Sequence, residues 1–342
     1  MAPNRITIDA IIYRLQRHGG ITVYTNELLR RLIRDDANLV VLGYGGNLPL
    51  NELSNVEEMR MRSLERYRNL RLDAPSIFHS TYYRTASGRS VRNVTTVHDF
   101  TYEHFVSGPR RWVHSAQKFS AIRKSDAIIC ISENTKLDLL RFLPDVDEDR
   151  IVIVPNGVSE AYFPLTDDAS AKSETVLFVG ARGGYKNFEE AARAVANRPH
   201  HTLLAVGGGV FTEEEERFLG SLMPGRYSHA GTVSDEALNR LYNDAYCLVY
   251  PSVYEGFGIP VLEAMRAGCP VVAVNRSSIP EVAGNAAILL DRADHDAIAG
   301  ALDELRKPEF RSTTRAAGIE RATRFSWELT YQRTREVYAR LS

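Results

Sequence analysis

Two doubly wound α/β domains, each a parallel sheet covered by helices, are the fold class this sequence predicts. Three observations carry it. Short apolar runs rich in Val and Ile alternate with longer amphipathic stretches along the whole chain, the order that gives parallel sheets with helices on their faces. The alternation stops at a polar, turn-rich stretch and then starts again. The 342 residues exceed what one hydrophobic core usually supports, and a 44% hydrophobic fraction is enough to fill two.

Taken in order, the first half offers strands at 6–12, 39–42, 77–79, 94–98, 127–131 and 151–154, with helical patterns at 22–34, 111–124 and 133–142. Pro155-Asn156-Gly157-Val158 then turns the chain, and 164–173 is polar and short of large apolar residues. The domain boundary is read there. Residues 1–165 form one domain and 166–327 the other, with the closing helix 328–342 packing back onto the first. The second half restarts with strands at 175–179, 202–206, 246–250, 270–274 and 286–290.

Composition excludes several classes. A formal net charge of -1 leaves no global field to draw nucleic acid. No apolar run reaches bilayer length, and Met1-Ala2-Pro3-Asn4-Arg5 leads directly into a strand pattern, so neither a membrane span nor a signal peptide is expected. Cys130, Cys247 and Cys269 lie in or beside apolar runs without paired or metal-ligand spacing. They read as small core residues in a reducing cytoplasm.

Sheets of this class bind ligands beyond the carboxyl ends of their strands, and the polar motifs of this chain collect there. Residues 255–263 read Glu-Gly-Phe-Gly-Ile-Pro-Val-Leu-Glu, two carboxylates bracketing a glycine turn between the run 246–250 and a helix start. Pro260 suits an early helical position. Free amides there can meet hydroxyls or phosphates, and Gly256 and Gly258 let the main chain come close. Residue by residue, the same pattern also describes a helix N-terminus whose acids suit the dipole.

Taken with Ala267-Gly268-Cys269-Pro270-Val271-Val272-Ala273, the segment resembles the signature of the retaining glycosyltransferases of family 4, which share the two-domain GT-B fold with sheets facing a central cleft. The resemblance covers nearly the whole chain, strongest over 176–284 and weakest over 48–74. It implies that Glu255 lies beside the donor sugar and that Glu263 hydrogen-bonds the nucleotide ribose. It also implies that the backbone of Phe257, Gly258 and Ile259 holds sugar hydroxyls and phosphate.

A nucleotide diphosphate needs neutralising, and gains charge as the glycosidic bond breaks, so fixed cations lower the barrier. Arg182 and Lys186 stand four residues apart on the glycine-rich loop Val179-Gly180-Ala181-Arg182-Gly183-Gly184-Tyr185-Lys186-Asn187. By resemblance they hold the diphosphate. Arg17-His18-Gly19-Gly20-Ile21 resembles the family's first glycine loop, with the amides of Gly19 and Gly20 facing the donor phosphates, although glycine pairs also serve ordinary turns. His98 ends a strand pattern, and the resemblance sets it near the donor sugar and diphosphate. Asp99 either orients that imidazole or caps the next turn; Ser132 and Thr135 either reach phosphate or cap a helix. Val233, in the run 229–238, resembles the residue beside the base, with Gly207-Gly208-Gly209 in the same wall. Those glycines lack the G-x-x-G continuation of a dinucleotide fingerprint, which sets a dehydrogenase aside.

No Asp-x-Asp motif stands at a strand end, so neither metal nor cofactor is expected. The resemblance implies transfer of a hexose with retention, from a GDP-mannose-like donor or a UDP-sugar, to a glycan or lipid-linked oligosaccharide in bacterial surface polysaccharide synthesis. The donor's own β-phosphate would take the acceptor proton while Glu255 positions the sugar. An epimerase or phosphorylase of the same fold and a non-catalytic nucleotide-sugar-binding partner are the other readings. The intact set of Glu255, Glu263, Arg182 and Lys186 speaks against the last.

Two basic stretches bear on the acceptor: Arg60, Arg62, Arg66, Arg68 and Arg71, and a helical pattern with Arg110, Arg111, Lys118, Arg123 and Lys124 beside Trp112 and Phe119. They suit an anionic acceptor or anionic lipid headgroups, and equally solvated helix faces balanced by acids. From them comes the expectation of a cytoplasmic protein peripheral to the inner face of the membrane. Phe78-His79-Ser80-Thr81-Tyr82-Tyr83-Arg84 either faces the acceptor or packs under the sheet, and Trp327 marks a second hinge strand.

Overall fold

The computed structural model describes residues 5–16, 19–35, 38–45, 56–166 and 173–342. They form two units, Met1–Gly157 with Trp327–Ser342, and Val158–Ser326. The unit boundary lies at the Asn156-Gly157 turn, ahead of the polar stretch, whose residues 167–172 fall outside the described ones, as do Arg17 and His18.

In unit 1 the strands are β1 (Arg5–Asp9), β2 (Leu39–Gly43), β3 (Val56–Glu58), β4 (Leu70–Arg71), β5 (Ser76–Ser80), β6 (Ala86–Ser87), β7 (Val91–Val97), β8 (Ala127–Cys130) and β9 (Ile151–Ile153). Seven make one parallel sheet in the order β3-β2-β1-β5-β7-β8-β9, and β4 with β6 make a small parallel ribbon. Ile6 stands opposite Leu39 on one side and Ile77 on the other. Consecutive residues of β8 are buried, Ile128 and Ile129 alike, which is what a strand covered on both faces requires and why such strands read as continuous apolar runs. β3, mostly exposed at the sheet edge, leaves no such run and was not anticipated.

The helices Gly20–Asp35 and Trp327–Arg340 pack on each other, with Tyr24 edge-on to Trp327 and Arg31 bonded to Glu328 at 3.2 Å. Trp327 therefore opens a helix and is not part of a second hinge strand. Next to it, Ser326 forms an isolated parallel bridge with Val158.

Unit 2 holds β10 (Thr175–Val179), β11 (Thr202–Val206), β12 (Tyr227–His229), β13 (Cys247–Tyr250), β14 (Val271–Val274) and β15 (Ile288–Leu290), all parallel, in the order β12-β11-β10-β13-β14-β15. The helix Phe188–Ala196 buries Phe188, Ala191, Ala192 and Val195, one face at helical spacing, into a core with Phe178, Leu203, Val249 and Leu302. Each large apolar side chain so buried contributes about 1.5–3 kcal/mol, and Phe178→Ala would cost about 3–5 kcal/mol through the cavity it leaves. Cys130, Cys247 and Cys269 are buried and unpaired, as expected of core residues.

Candidate functional site

The strand order of unit 2 reverses between β10 and β13, the point where open parallel sheets form a ligand crevice. Lys186 comes from the loop after β10 and Glu255 from the loop after β13, and their side chains form an ion pair across it. Both are largely shielded, at 13% and 12% exposure, and Lys186 Nζ also lies 5.3 and 5.4 Å from the ring centres of Tyr185 and Tyr250. The two loops are cross-tied by main chain as well. Asn187 Nδ2 donates to the Pro251 carbonyl and the Val253 amide to the Tyr185 carbonyl, each at 3.0 Å.

A third loop, after β14, clamps the second. The Glu255 amide donates to Ser277 Oγ at 2.8 Å, and the Ser278 hydroxyl is shared between the carbonyls of Glu255 and Phe257 at 2.9 Å each. Sequence reasoning passed over both serines, although their place in the loop after an apolar strand was a usable signal. Gly258 caps the helix Ile259–Arg266 with φ +104°, and a Cβ there would stand 2.7 Å from Ile279 Cδ1, so only glycine fits. The Phe257 ring is buried edge-on to Phe325, which leaves the backbone of Phe257, Gly258 and Ile259 as the part able to meet a ligand.

Glu263, one turn into that helix, accepts a hydrogen bond from Tyr242 at 3.1 Å. Burial pushes its carboxyl up to about 7, against hydrogen bonds from Tyr242 and Tyr162 that favour the ionised form. The single proton of the Tyr162 hydroxyl is shared between Glu263 and Asp235, the latter at 3.1 Å. Val233, half-buried, precedes the helix Asp235–Asp244, and its loop is tied to the glycine run by the Gly207 amide donating to the Gly231 carbonyl at 2.8 Å.

Arg182 is held in a different way from Lys186. Its Nε and Nη2 donate to Glu215 at 2.8 and 3.1 Å, Nη1 to the carbonyls of Gly207 and Gly209 at 3.1 and 2.9 Å, and Nη2 to the Val210 carbonyl at 2.9 Å. All five N–H donors of the guanidinium are thereby engaged. The arginine braces the loop after β11, where Gly208 has φ +71° and a Cβ would stand 2.6 Å from the Gly180 carbonyl.

In unit 1, Gly20 begins the helix Gly20–Asp35 and Gly19 precedes it with φ +147°. His98, after β7, is buried and edge-on to Tyr24 of that helix, with ring centres 5.1 Å apart. Burial holds its imidazole down at about 4 against the pull of Asp99, so it is neutral at pH 7. Asp99 Oδ1 accepts from the Thr101 amide at 3.0 Å and Ser132 Oγ from the Thr135 amide at 3.0 Å, so both are caps. Residues 78–84 pack inward for the most part. His79 is buried between Tyr338 (2.6 Å) and Thr96 (2.8 Å), and Arg84, with no exposed side chain, pairs with Asp9 at 3.1 Å and Glu65 at 2.9 Å.

The basic stretches divide likewise. Lys118 is fully buried and paired with Glu103 at 2.7 Å, so it belongs to no surface patch, and Arg123 is bonded to Asp145. Arg60, Arg62, Arg68 and Arg71 are exposed, but on extended chain and around the turn Glu65–Tyr67 rather than on a helix face.

Comparison with known proteins places these features. Residues 18–162 match the Glycosyltransferase Family 4 model and residues 167–325 the Glycosyl transferases group 1 model. Over 272 residues the chain is 32% identical to O-antigen chain mannosyltransferase B of Escherichia coli, covering 73% of this chain and 71% of that protein. It is 26% identical over 259 residues to the serotype-specific mannosyltransferase WbdA of Escherichia coli, 70% of this chain but 32% of that protein. Among solved structures, a sucrose-phosphate synthase of Thermosynechococcus elongatus matches with a TM-score of 0.78 at 20% identity over 99% of both chains. That likeness establishes the fold, GT-B with two Rossmann-like halves. Among the described residues, no helix is long and apolar enough to cross a membrane.

Proposed function

The chain belongs to the glycosyltransferases that carry family 4 and group 1 domains, and from that premise we propose that it transfers mannose from GDP-mannose, with retention and without a metal, to a glycan or lipid-linked oligosaccharide of a bacterial surface polysaccharide. The observation that carries the reading is the Lys186–Glu255 pair across the strand reversal, beside a glycine-capped helix start. Mannose as the sugar follows the mannosyltransferase relatives, with UDP-sugars as the alternative donors.

In this reading donor binding is an exchange of partners. The diphosphate replaces Glu255 as the counter-ion of Lys186, and the released carboxylate accepts hydrogen bonds from sugar hydroxyls. The negative charge of the leaving diphosphate is balanced by Lys186 and by the amides of Gly258 and Ile259, which is why no metal is invoked. Glu263 receives the ribose hydroxyls and Val233 borders the base. Arg182 contributes chiefly by keeping the glycine loop in shape, and reaches phosphate only if Glu215 yields. From unit 1, Gly19 and Gly20 offer amides to phosphate, and neutral His98 serves as a hydrogen-bonding group rather than a charge. Glu255, tied to a lysine, positions the sugar while the β-phosphate takes the acceptor proton. We extend the reading to a protein working at the inner face of the cytoplasmic membrane.

The test is a melting panel of GDP, UDP, ADP and their sugar conjugates with and without EDTA, followed by transfer assays of Lys186→Ala. Stabilisation by one nucleotide family, unchanged by EDTA, is expected, with transfer by the variant reduced at least a hundredfold. Absence of any nucleotide shift, or full transfer by Lys186→Ala, overturns the assignment.

A further inference from the structure

At the end of the unit 2 sheet opposite the ligand crevice, three side chains able to bind a metal come together. Glu174 precedes β10, and His200 with His201 precedes β11, whose first residue, Thr202, stands opposite Thr175. A carboxylate oxygen of the first and one ring nitrogen from each histidine all lie within 4.8 Å of one another. None of the three takes part in the donor chemistry, which lies beyond the far ends of the same strands.

His201 is prepared for a ligand. It is buried, and its Nδ1 lies 3.0 Å from the Glu174 carbonyl and 2.9 Å from the Glu174 carboxylate. Both of those groups accept, so the ring proton belongs on Nδ1 and the lone pair on Nε2. That Nε2 is buried and has no hydrogen-bond partner among the described residues. A carbonyl that fixes the tautomer and leaves the other nitrogen bare is the arrangement behind metal-bound imidazoles. Burial holds the imidazole below its ordinary value, so at pH 7 it is neutral and its lone pair is available. The ring is also held in place. Its centre is 4.3 Å from that of Tyr246, the His201 amide donates to the Arg198 carbonyl at 2.9 Å, and Arg226 donates to the His201 carbonyl at 2.8 Å.

His200 and Glu174 are exposed and can close on an ion. Around a tetrahedral zinc with bonds of about 2.0–2.2 Å, ligand atoms stand about 3.4 Å apart, so a movement of roughly 1 Å by these two side chains is enough. Arg306, itself exposed, donates to His200 Nε2 at 2.5 Å and is the group an ion would compete with. Two imidazoles with one carboxylate suit zinc and its transition-row neighbours rather than magnesium or calcium, which take sets of oxygens. We infer that Glu174, His200 and His201 bind one divalent ion of the zinc class, with water in the fourth position, and that the ion staples the start of β10 to the start of β11. It is a stability site, a strand's length from the crevice, and leaves sugar transfer independent of metal.

The full chain, prepared without a histidine tag and stripped with EDTA, is titrated with zinc and with cobalt. Zinc is expected to bind calorimetrically with a stoichiometry of one and, at saturation, to raise the melting temperature by about 3 °C or more. Cobalt in the same site gives visible d–d absorption that zinc bleaches. His200→Ala and Glu174→Gln alter exposed side chains, so both variants should fold, and each should weaken binding tenfold or more. Arg306→Ala removes a competing bond and a nearby positive charge and should tighten binding several-fold. No zinc shift, a shift undiminished in His200→Ala and Glu174→Gln, or weaker binding by Arg306→Ala would each overturn the inference. The GDP-dependent melting shift, read on the same samples, should be equal with and without zinc. Its loss on removing zinc would overturn the separation of the two sites, whereas a GDP shift that persists where zinc gives none removes the metal site alone.

Discussion

Replacing Glu263 by Gln is expected to stabilise the protein near pH 8, with a gain that shrinks as pH falls toward 4.5. Burial pushes the Glu263 carboxyl up to about 7 from an ordinary 4.5, with the Tyr242 and Tyr162 hydroxyls pulling the other way. An acid with a raised folded value holds a proton that the unfolded chain releases, so its ionisation costs stability. Below about 4.5 both states are protonated and nothing is lost; between 4.5 and 7 stability falls; above 7 the cost is complete. At ~1.36 kcal/mol per pH unit this is on the order of 3 kcal/mol, and the part of the side chain still open to solvent reduces it to about 2 kcal/mol. Glutamine has the same shape, keeps an acceptor for Tyr242 and is uncharged at every pH. For a unit of this size about 2 kcal/mol corresponds to a rise of roughly 4–8 °C in melting temperature. Calorimetric melts of both proteins near pH 5 and pH 8 measure it. Equal melting at pH 8, or an equal gain at pH 5, would refute the argument. The same variant should bind nucleotide more weakly, because the proposed ribose contact needs the carboxylate, so stability and affinity move in opposite directions.

Three further outcomes follow from the same physics. Lys118→Met leaves Glu103 buried without its cation and should cost about 3–5 kcal/mol in urea unfolding, with E103Q/K118M recovering part of the loss; a double variant no better than the single one sinks the pairing argument. Burial works to raise Glu103, but His114, Lys118 and Ser115 outweigh it and hold the carboxyl at about 2, so the pair's contribution is present above about 4.5 and is lost as pH falls toward 2. Gly258→Ala, forced into φ +104° against Ile279, should destabilise by about 1–3 kcal/mol and cut transfer at least tenfold, and wild-type rates would contradict the close-packing account. Glu215→Gln keeps the capping box with Thr212 but removes the charge that neutralises Arg182, so nucleotide affinity should rise several-fold at low salt and less at high salt; a loss of affinity would show that loop shape matters more than the free cation.

Much of this was legible because it is local. Strands such as β8 and β13 announce themselves as apolar runs, and a turn that needs glycine carries Gly258 in the sequence itself. Lys186 and Glu255 could be nominated because each lies in the loop that follows its strand. What stayed hidden depends on partners distant in sequence. That Glu215, thirty-three residues on, holds Arg182 is invisible in the loop's own sequence. Lys118 looks like one more helix charge, and only the placement of Glu103 beneath it makes it a core residue. The aromatic run at 78–84 was ambiguous for the same reason, since His79 is explained by Tyr338 at the far end of the chain.

That last contact has a consequence for how the protein is made. Unit 2 is one continuous stretch, whereas unit 1 is written at both ends of the chain and is closed by the helix Trp327–Arg340. Domains commonly fold in the order in which the ribosome delivers them. Here the last residue that unit 2 needs, Ser326, is synthesised before unit 1 is complete, since His79 needs the Tyr338 hydroxyl and Tyr24 the ring of Trp327. A premature stop a few codons before the end would therefore spare the half just synthesised and strike the half translated first.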